Sequence, residues 1–312
     1  TPNYRYNVIL TIMVIKGLIG IIGGNGFVGS ELCAQLISAG YSVRLLTRNV
    51  SKCRHLKVLP SLSIIQIIDY SADTLAAALK DCHALVNLIG ILNEKGRDGK
   101  EFHRIHVGIT RAALNACESA KIPRLLQMSA LNADADGPSH YLRSKGKAEN
   151  HLKTFSESQV DYTIFKPSVI FGEGDSFLNM FASLLKTIPG VFPLAFANAR
   201  FAPVYVGDVA KKMTAVINDK SAYNQSYELC GPNIYTLKEL VQYTANICGY
   251  KRTIIGLPMF LSKIQATVFE YVPGKPFSKD NFNSLKLDSV CNQCAPCTTS
   301  LAAIAPTYLT NK

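Results

Sequence analysis

Between Lys16 and Phe165 the chain alternates short apolar runs with stretches in which apolar residues recur every three or four positions. Apolar runs bounded by Gly, Pro or polar residues are strands buried on both faces, whereas the 3.6-residue period belongs to amphipathic helices. The pattern predicts strands over Lys16–Ile22, Ser42–Thr47, Ser63–Ile68, Ala84–Ile89, Arg124–Ser129 and Tyr162–Phe165, and helices over Val28–Ala39, Thr74–Lys80, Lys100–Ala120 and His140–Ser156. Strand–helix alternation of this kind builds a parallel sheet covered on both faces, so the fold class is α/β, doubly wound. After Pro167 the alternation fails, and Gly-, Pro- and aromatic-rich loops separate helical patterns at Phe177–Thr187, Leu237–Cys248 and Pro258–Tyr271. That part is too irregular for a second sheet domain and reads as a smaller C-terminal substrate lobe. The expected division is 13–170 for the nucleotide-binding domain, with 200–231 packing back onto it, and 171–199 with 232–312 for a substrate or partner lobe. Residues 1–12 precede Met13, where the strand pattern opens, and read as an upstream extension or cloning remnant.

Chemistry enters at the first strand-to-helix turn, Gly23-Gly24-Asn25-Gly26-Phe27-Val28-Gly29. Glycines at this spacing permit a tight turn, bring backbone N–H groups close to a pyrophosphate and let the helix pack on the strand. The sheet is therefore of the Rossmann type, with Gly23, Gly26, Phe27, Val28 and Gly29 as candidate contacts to a dinucleotide. The second strand ends Leu45-Leu46-Thr47-Arg48-Asn49, without the carboxylate that usually binds an NAD ribose. Arg48 is placed to pair with a 2′-phosphate, which makes NADP(H) the expected cofactor in preference to NAD(H). Asp69, ending the third strand, is a candidate acceptor for the adenine amino group and equally a candidate cap for the helix that follows.

Tyr141 and Lys145 are four residues apart on the helix after the fifth strand, so they share a face, and Ser129 ends that strand at the sheet edge where ligands bind. A lysine ammonium beside a tyrosine, together with a nicotinamide charge, is expected to lower the phenol by ~2–3 pKa units. Lys145 would also bind ribose hydroxyls, Ser129 would hydrogen-bond the substrate oxygen, and Tyr141 would move the proton as hydride moves. Ser129, Tyr141 and Lys145 are thus the catalytic candidates.

These residues resemble the extended, atypical short-chain dehydrogenase/reductases, often described as NAD-dependent epimerase/dehydratases. The resemblance rests on Gly23/Gly26/Gly29, Asn87-Leu88-Ile89-Gly90, Ser129, Tyr141/Lys145 and Lys166-Pro167-Ser168-Val169-Ile170-Phe171-Gly172. Within that superfamily the chain is most similar to the NADPH-binding accessory subunits of respiratory complex I and their bacterial relatives. That likeness lies in Gly23 to Gly29, Tyr141 to Glu149, Ala202 to Ala210 and Pro273-Gly274-Lys275-Pro276. It implies that Leu88, Ile89, Gly90, Pro167 and Val169 also line the cofactor. It implies either hydride-transfer oxidoreductase or epimerase activity, or a non-catalytic accessory or assembly role in complex I or quinone metabolism, since the animal subunits lack the tyrosine. A cytoplasmic or mitochondrial-matrix location, peripheral to the inner membrane, follows from the same likeness. Lys166 replaces the family's usual Arg, and His106 stands where extended reductases carry an Asn.

Composition narrows the partners. Of 312 residues, 48% are hydrophobic and 18% charged, which excludes a disordered chain. The longest apolar stretch, Val8–Gly24, is interrupted by Lys16, so no membrane span is expected. A net charge of +11 suits a phosphate-bearing ligand or an anionic membrane surface; the basic residues are scattered, and nucleic acid is not an expected partner. Cys33, Cys117, Cys230 and Cys248 lie in apolar segments and read as buried thiols of a soluble intracellular protein in a reducing compartment. Cys291, Cys294 and Cys297 lack a fourth ligand nearby, and no metal site is expected. Leu257–Tyr271 carries an apolar stripe of Met259, Phe260, Leu261, Ile264, Val268 and Phe269. Core packing is its default reading; a peripheral contact with a membrane or membrane-associated complex is the alternative. The late lobe carries no signature that names a small-molecule substrate.

Overall fold

The computed structural model describes residues 16–154, 159–269, 277–292 and 297–310. The expected 1–12 extension, Cys294, the Pro273–Pro276 motif and the ends of the helices predicted to reach Ser156 and Tyr271 lie outside those residues, as does the side chain of Val268.

The central sheet is built from β1 (Leu18–Ile22), β2 (Ser42–Thr47), β3 (Leu62–Gln66), β4 (Ala84–Asn87), β5 (Arg124–Met128), β6 (Asp161–Pro167) and β7 (Gln225–Leu229). Its spatial order is β7-β6-β5-β4-β1-β2-β3, with every neighbouring pair parallel. The direction of winding reverses between β1 and β4, and in open α/β sheets the crevice for a ligand opens at that point. β7 extends the predicted six-strand sheet by one. Its sequence Gln-Ser-Tyr-Glu-Leu has no apolar run because it is an edge strand, exposed over its first half. β4 and β5 stop short of their predicted ends, and Ile89 and Ser129 fall in the turns that follow.

The Phe27–Ser38 helix covers one face of the sheet through Leu32, Cys33 and Leu36, beside Val209, Ala210 and Met213 of the Val206–Ala215 helix. The other face is covered by Leu75, Leu79, Ile109, Ala113, Cys117 and Leu152. A third apolar cluster, with Phe171, Phe181, Leu185, Phe192, Leu237 and Leu240, fills the later lobe. There Val191–Leu194 pairs with Thr253–Gly256, and Tyr308 donates to the buried Asp175 carboxylate at 2.7 Å.

Three expectations are corrected. Cys230 is not a free thiol: it is bridged to Cys291, and the backbone N–H of Cys297 donates to the Cys230 carbonyl. The reducing-compartment argument loses that residue, although Cys33, Cys53, Cys82 and Cys117 are buried and unbridged. The predicted helix Lys100–Ala120 contains a π-helical segment, His103–Gly108, before it continues as Ile109–Ser119. The Met259–Phe269 helix turns its small residues Ser262 and Ala266 inward, and Met259, Phe260, Leu261 and Ile264 are 43–73% exposed, so this stripe is not core. Small residues one turn apart let a helix approach its neighbour closely, which leaves the bulky side chains outside.

Candidate functional site

β1 ends at Ile22, and the chain turns through Gly23, whose φ of +79° is the left-handed region that a side chain rarely adopts. A Cβ on Gly23 would lie 2.9 Å from the Leu88 carbonyl carbon, and one on Gly29 2.4 Å from the Gly24 Cα. The turn therefore lies close against the loop after β4 and the helix close against the turn. The Phe27–Ser38 helix starts at Gly26, which offers no capping side chain, so its first N–H groups are left for another acceptor. Uncapped N–H groups at a glycine turn, on the switch point of the sheet, fit the pyrophosphate of a dinucleotide.

The loop after β4 is held by Asn87. Its side chain donates to Gln127 Oε1 at 2.9 Å and accepts the Ile89 N–H at 3.1 Å. This presents Leu88 and Gly90 to one cavity of about 640 Å³. Its wall also includes Gly23, Gly26, Phe27, Val28, Gly29, Ser129, Tyr141, Lys145, Pro167 and Val169. Ile89, Arg48 and Asp69 are not part of that wall. Arg48 is exposed at the end of β2, its guanidinium 5.0 Å from the centre of the Tyr70 ring. Asp69 accepts from the Ser71 N–H at 3.0 Å and hydroxyl at 2.7 Å, and Ser71 in turn caps the Ala72–Ala78 helix. Those bonds hold the Asp69 carboxyl below its usual range and favour the capping role.

The His140–Thr154 helix carries the remaining chemistry, and its start is fixed by a residue far away in sequence. The Asp280 carboxylate accepts from the His140 N–H at 2.6 Å and the Tyr141 N–H at 3.1 Å. Burial, and then the Asp280 charge, push the Tyr141 phenol up to about 12, opposite to the lowering expected from Lys145. Lys145 is itself buried and donates to the Met128 carbonyl at 3.2 Å; burial pulls it down to about 8, with the Glu149 charge opposing. Removal from water disfavours whichever form is charged, so it acts in opposite directions on the two groups.

Ser129 also differs from expectation. Its hydroxyl donates to the buried Glu149 carboxylate at 2.6 Å, so its proton is not directed at a substrate oxygen. Glu149 lies 3.7 Å from Lys166 and 3.4 Å from Lys153. Lys166, where the family's Arg is expected, thus serves a carboxylate that the sequence reading left unassigned. The i, i+4 spacing from Lys145 to Glu149 was the signal available for it. Nothing local could have signalled Asp280.

His106 occupies the place of the reductase Asn and is fully enclosed. Its Nε2 accepts the Ile91 N–H at 3.1 Å, so its Nδ1 carries the proton and donates to Ser144 Oγ at 2.7 Å; Ser144 in turn donates to the Tyr141 carbonyl at 2.8 Å. Burial, reinforced by the nearby Lys145 charge, pulls its pKa down to about 2, so the ring is neutral. It packs edge-to-face on Tyr141 with centroids 5.6 Å apart, and Phe102 packs on both rings. Among the described residues no cluster of His, Cys, Asp or Glu is arranged to hold a metal ion.

Residues 23–176 match the family model described as NAD(P)H-binding. The chain is 29% identical over 284 residues to "NADH dehydrogenase [ubiquinone] 1 alpha subcomplex subunit 9, mitochondrial" of Mus musculus, covering 88% of this chain and 74% of that one. It is 28% identical over 298 residues to the protein of the same name from Arabidopsis thaliana, covering 90% and 73%. Among solved structures it is similar to UDP-glucuronic acid 4-epimerase from Bacillus cereus in complex with UDP-glucuronic acid and NAD. The TM-score is 0.66 at 17% identity, covering 88% of this chain and 95% of that one, a likeness of fold.

Proposed function

From a chain that carries an NAD(P)H-binding domain over residues 23–176 and is homologous to subunit 9 of complex I, we propose an NADP(H)-dependent reductase of the short-chain dehydrogenase/reductase type, with Ser129, Tyr141 and Lys145 as its site. The observation that carries this reading is the single cavity that runs from the glycine turn past all three residues. A bound reduced nicotinamide supplies hydride to a carbonyl carbon. The chain's own groups supply the rest. The Tyr141 phenol, raised to about 12, is protonated at neutral pH and so holds the proton that a reduced carbonyl oxygen needs; burial weakens it as an acid, and the reverse reaction would need it deprotonated. Lys145, close beside Gly90, is placed to hold ribose hydroxyls. Ser129 keeps its proton on Glu149 and so helps to wall the reacting end of the cavity rather than donating to the substrate oxygen.

Arg48 is the residue on which preference for a 2′-phosphate rests. A charge-assisted contact is worth roughly 1.5–3 kcal/mol, so Arg48→Ala should weaken NADPH about ten- to a hundredfold and leave NADH nearly unchanged. Homology to the complex I subunits over most of the chain favours a second reading, in which the nucleotide only stabilises an accessory subunit. Under either reading the net charge of +11 and the exposed apolar helix support a peripheral place on an anionic membrane or membrane complex, and the relatives' being named as mitochondrial supports a mitochondrion as the setting.

Tyr141→Phe separates the two. It removes only the phenolic oxygen, so NADPH affinity should hold, and oxidation of NADPH by a carbonyl substrate should fall by ~10²–10⁴. An unchanged rate on a substrate that the parent turns over would refute the catalytic assignment.

A further inference from the structure

The cavity does not end at Tyr141. It continues into the later lobe, where Phe177, Met180, Phe181 and Leu184 of the Phe177–Thr187 helix face Phe192 and Leu194 of the Val191–Leu194 strand. Among the described residues that line it, Lys145 is the only charged one, and Lys145 belongs to the nucleotide end. A diphosphate held in the later lobe would need cations or uncapped N–H groups there. The other polar groups among the described lining residues, such as Asn281, Ser284 and Gln265, are neutral.

We propose that the substrate is an uncharged carbonyl compound bearing a hydrocarbon chain, with its carbonyl at Tyr141 and its chain in the apolar chamber of the later lobe. A sugar nucleotide, of the kind held by the epimerase of similar fold, is the competing occupant. The proposal rests on the reductase reading for the reaction and on the chamber alone for the substrate. In that reaction the carbonyl carbon gains a hydride from the reduced nicotinamide, which is oxidised. The carbonyl oxygen gains the Tyr141 proton as the C=O π bond breaks, and solvent reprotonates the phenolate.

The test is calorimetric binding of 2-pentanone, 2-octanone and 2-undecanone to protein loaded with NADP⁺, where no reduction can occur. Each methylene buried is worth ~0.8 kcal/mol, or about fourfold, so affinity should rise at least tenfold from 2-pentanone to 2-octanone. Geranylacetone, an isoprenoid methyl ketone, distinguishes the source of the chain. Tighter binding than 2-undecanone assigns the chamber to an isoprenoid chain, and weaker binding assigns it to a straight acyl chain. Met180→Arg should abolish the gain with chain length, and Leu184→Asn should reduce it if the arginine variant fails to fold. Phe260→Ser, on the outer surface, should leave the gain intact. A flat response to chain length, loss of the gain in Phe260→Ser, or tighter binding of UDP-N-acetylglucosamine than of 2-undecanone would overturn the proposal. Chain-length-dependent binding without NADPH oxidation of any ketone would overturn the reductase reading and leave the chamber assignment standing.

Discussion

His106 shows how one buried side chain sets the frame around a site. Its ring links the loop after β4, through the Ile91 N–H, to the helix that carries Tyr141 and Lys145, through Ser144. The link requires a neutral ring. An unfolded histidine titrates near its ordinary value of 6.5, whereas the native ring is pulled down to about 2. Below pH ~6.5 the unfolded chain therefore binds a proton that the native protein does not, so stability is present above that pH and is lost as pH falls. By pH ~4.5 this group alone should remove ~2–3 kcal/mol. In His106→Asn, whatever its stability at neutral pH, the decline from pH ~6.5 to ~4.5 should be shallower by that amount in urea melts. Parallel declines for parent and variant would show that the ring titrates normally. The sequence marked His106 only as a departure from the reductase pattern, because the partners that make it matter, Ile91 and Ser144, are distant from it along the chain. Gly23, Gly29, Tyr141 and Lys145 were legible because each belongs to a motif closed within a few residues.

The unit made by β1, the glycine turn and the Phe27–Ser38 helix depends on close backbone approach. In Gly29→Ala the new Cβ would meet the Gly24 Cα at 2.4 Å and its carbonyl carbon at 2.6 Å, backbone atoms that cannot rotate away. Overpacking of this kind costs ~1–3 kcal/mol, and the turn must shift to relieve it. The expected result is a lower Tm together with weaker NADPH binding. Gly108→Ala is the control: its Cβ would meet nothing within 4 Å, and helical glycine replaced by alanine is neutral to stabilising by ~1 kcal/mol. If Gly29→Ala binds NADPH like the parent, the turn is not the phosphate cradle. Elements buried on both faces, such as β1, β2 and β5, were readable from their apolar runs. The edge strand β7 and the π segment His103–Gly108 were not, since exposure dilutes the first pattern and an extra residue per turn is hidden in the second. The Met259–Phe269 helix misled for another reason: apolar periodicity reports that a face is apolar, not which way it points.

At the scale of the whole molecule, that reversed helix meets the net charge of +11. Among the described residues no helix is long and apolar enough to cross a membrane. Phe260 is 73% exposed and Met259 60%, with the exposed Lys263 on the same helix. Apolar side chains flanked by a cation suit shallow insertion at an anionic lipid surface, and the charge of the whole protein adds long-range attraction. We therefore expect cosedimentation with vesicles of mixed phosphatidylserine and phosphatidylcholine at low salt. Raising the salt to ~1 M shortens the screening length from ~10 Å at 0.1 M to ~3 Å and should release most of the protein. The apolar part is separable from the charge. Burying a phenylalanine is worth ~1.5–3 kcal/mol, so Phe260→Ser should weaken vesicle binding about tenfold or more even at low salt, with NADPH affinity unchanged. Binding to pure phosphatidylcholine as strong as to the anionic mixture would remove the charge from the argument. Phe260→Ser binding like the parent would remove the helix, and protein that stays in solution at low salt would leave the exposed residues to a partner chain rather than to lipid.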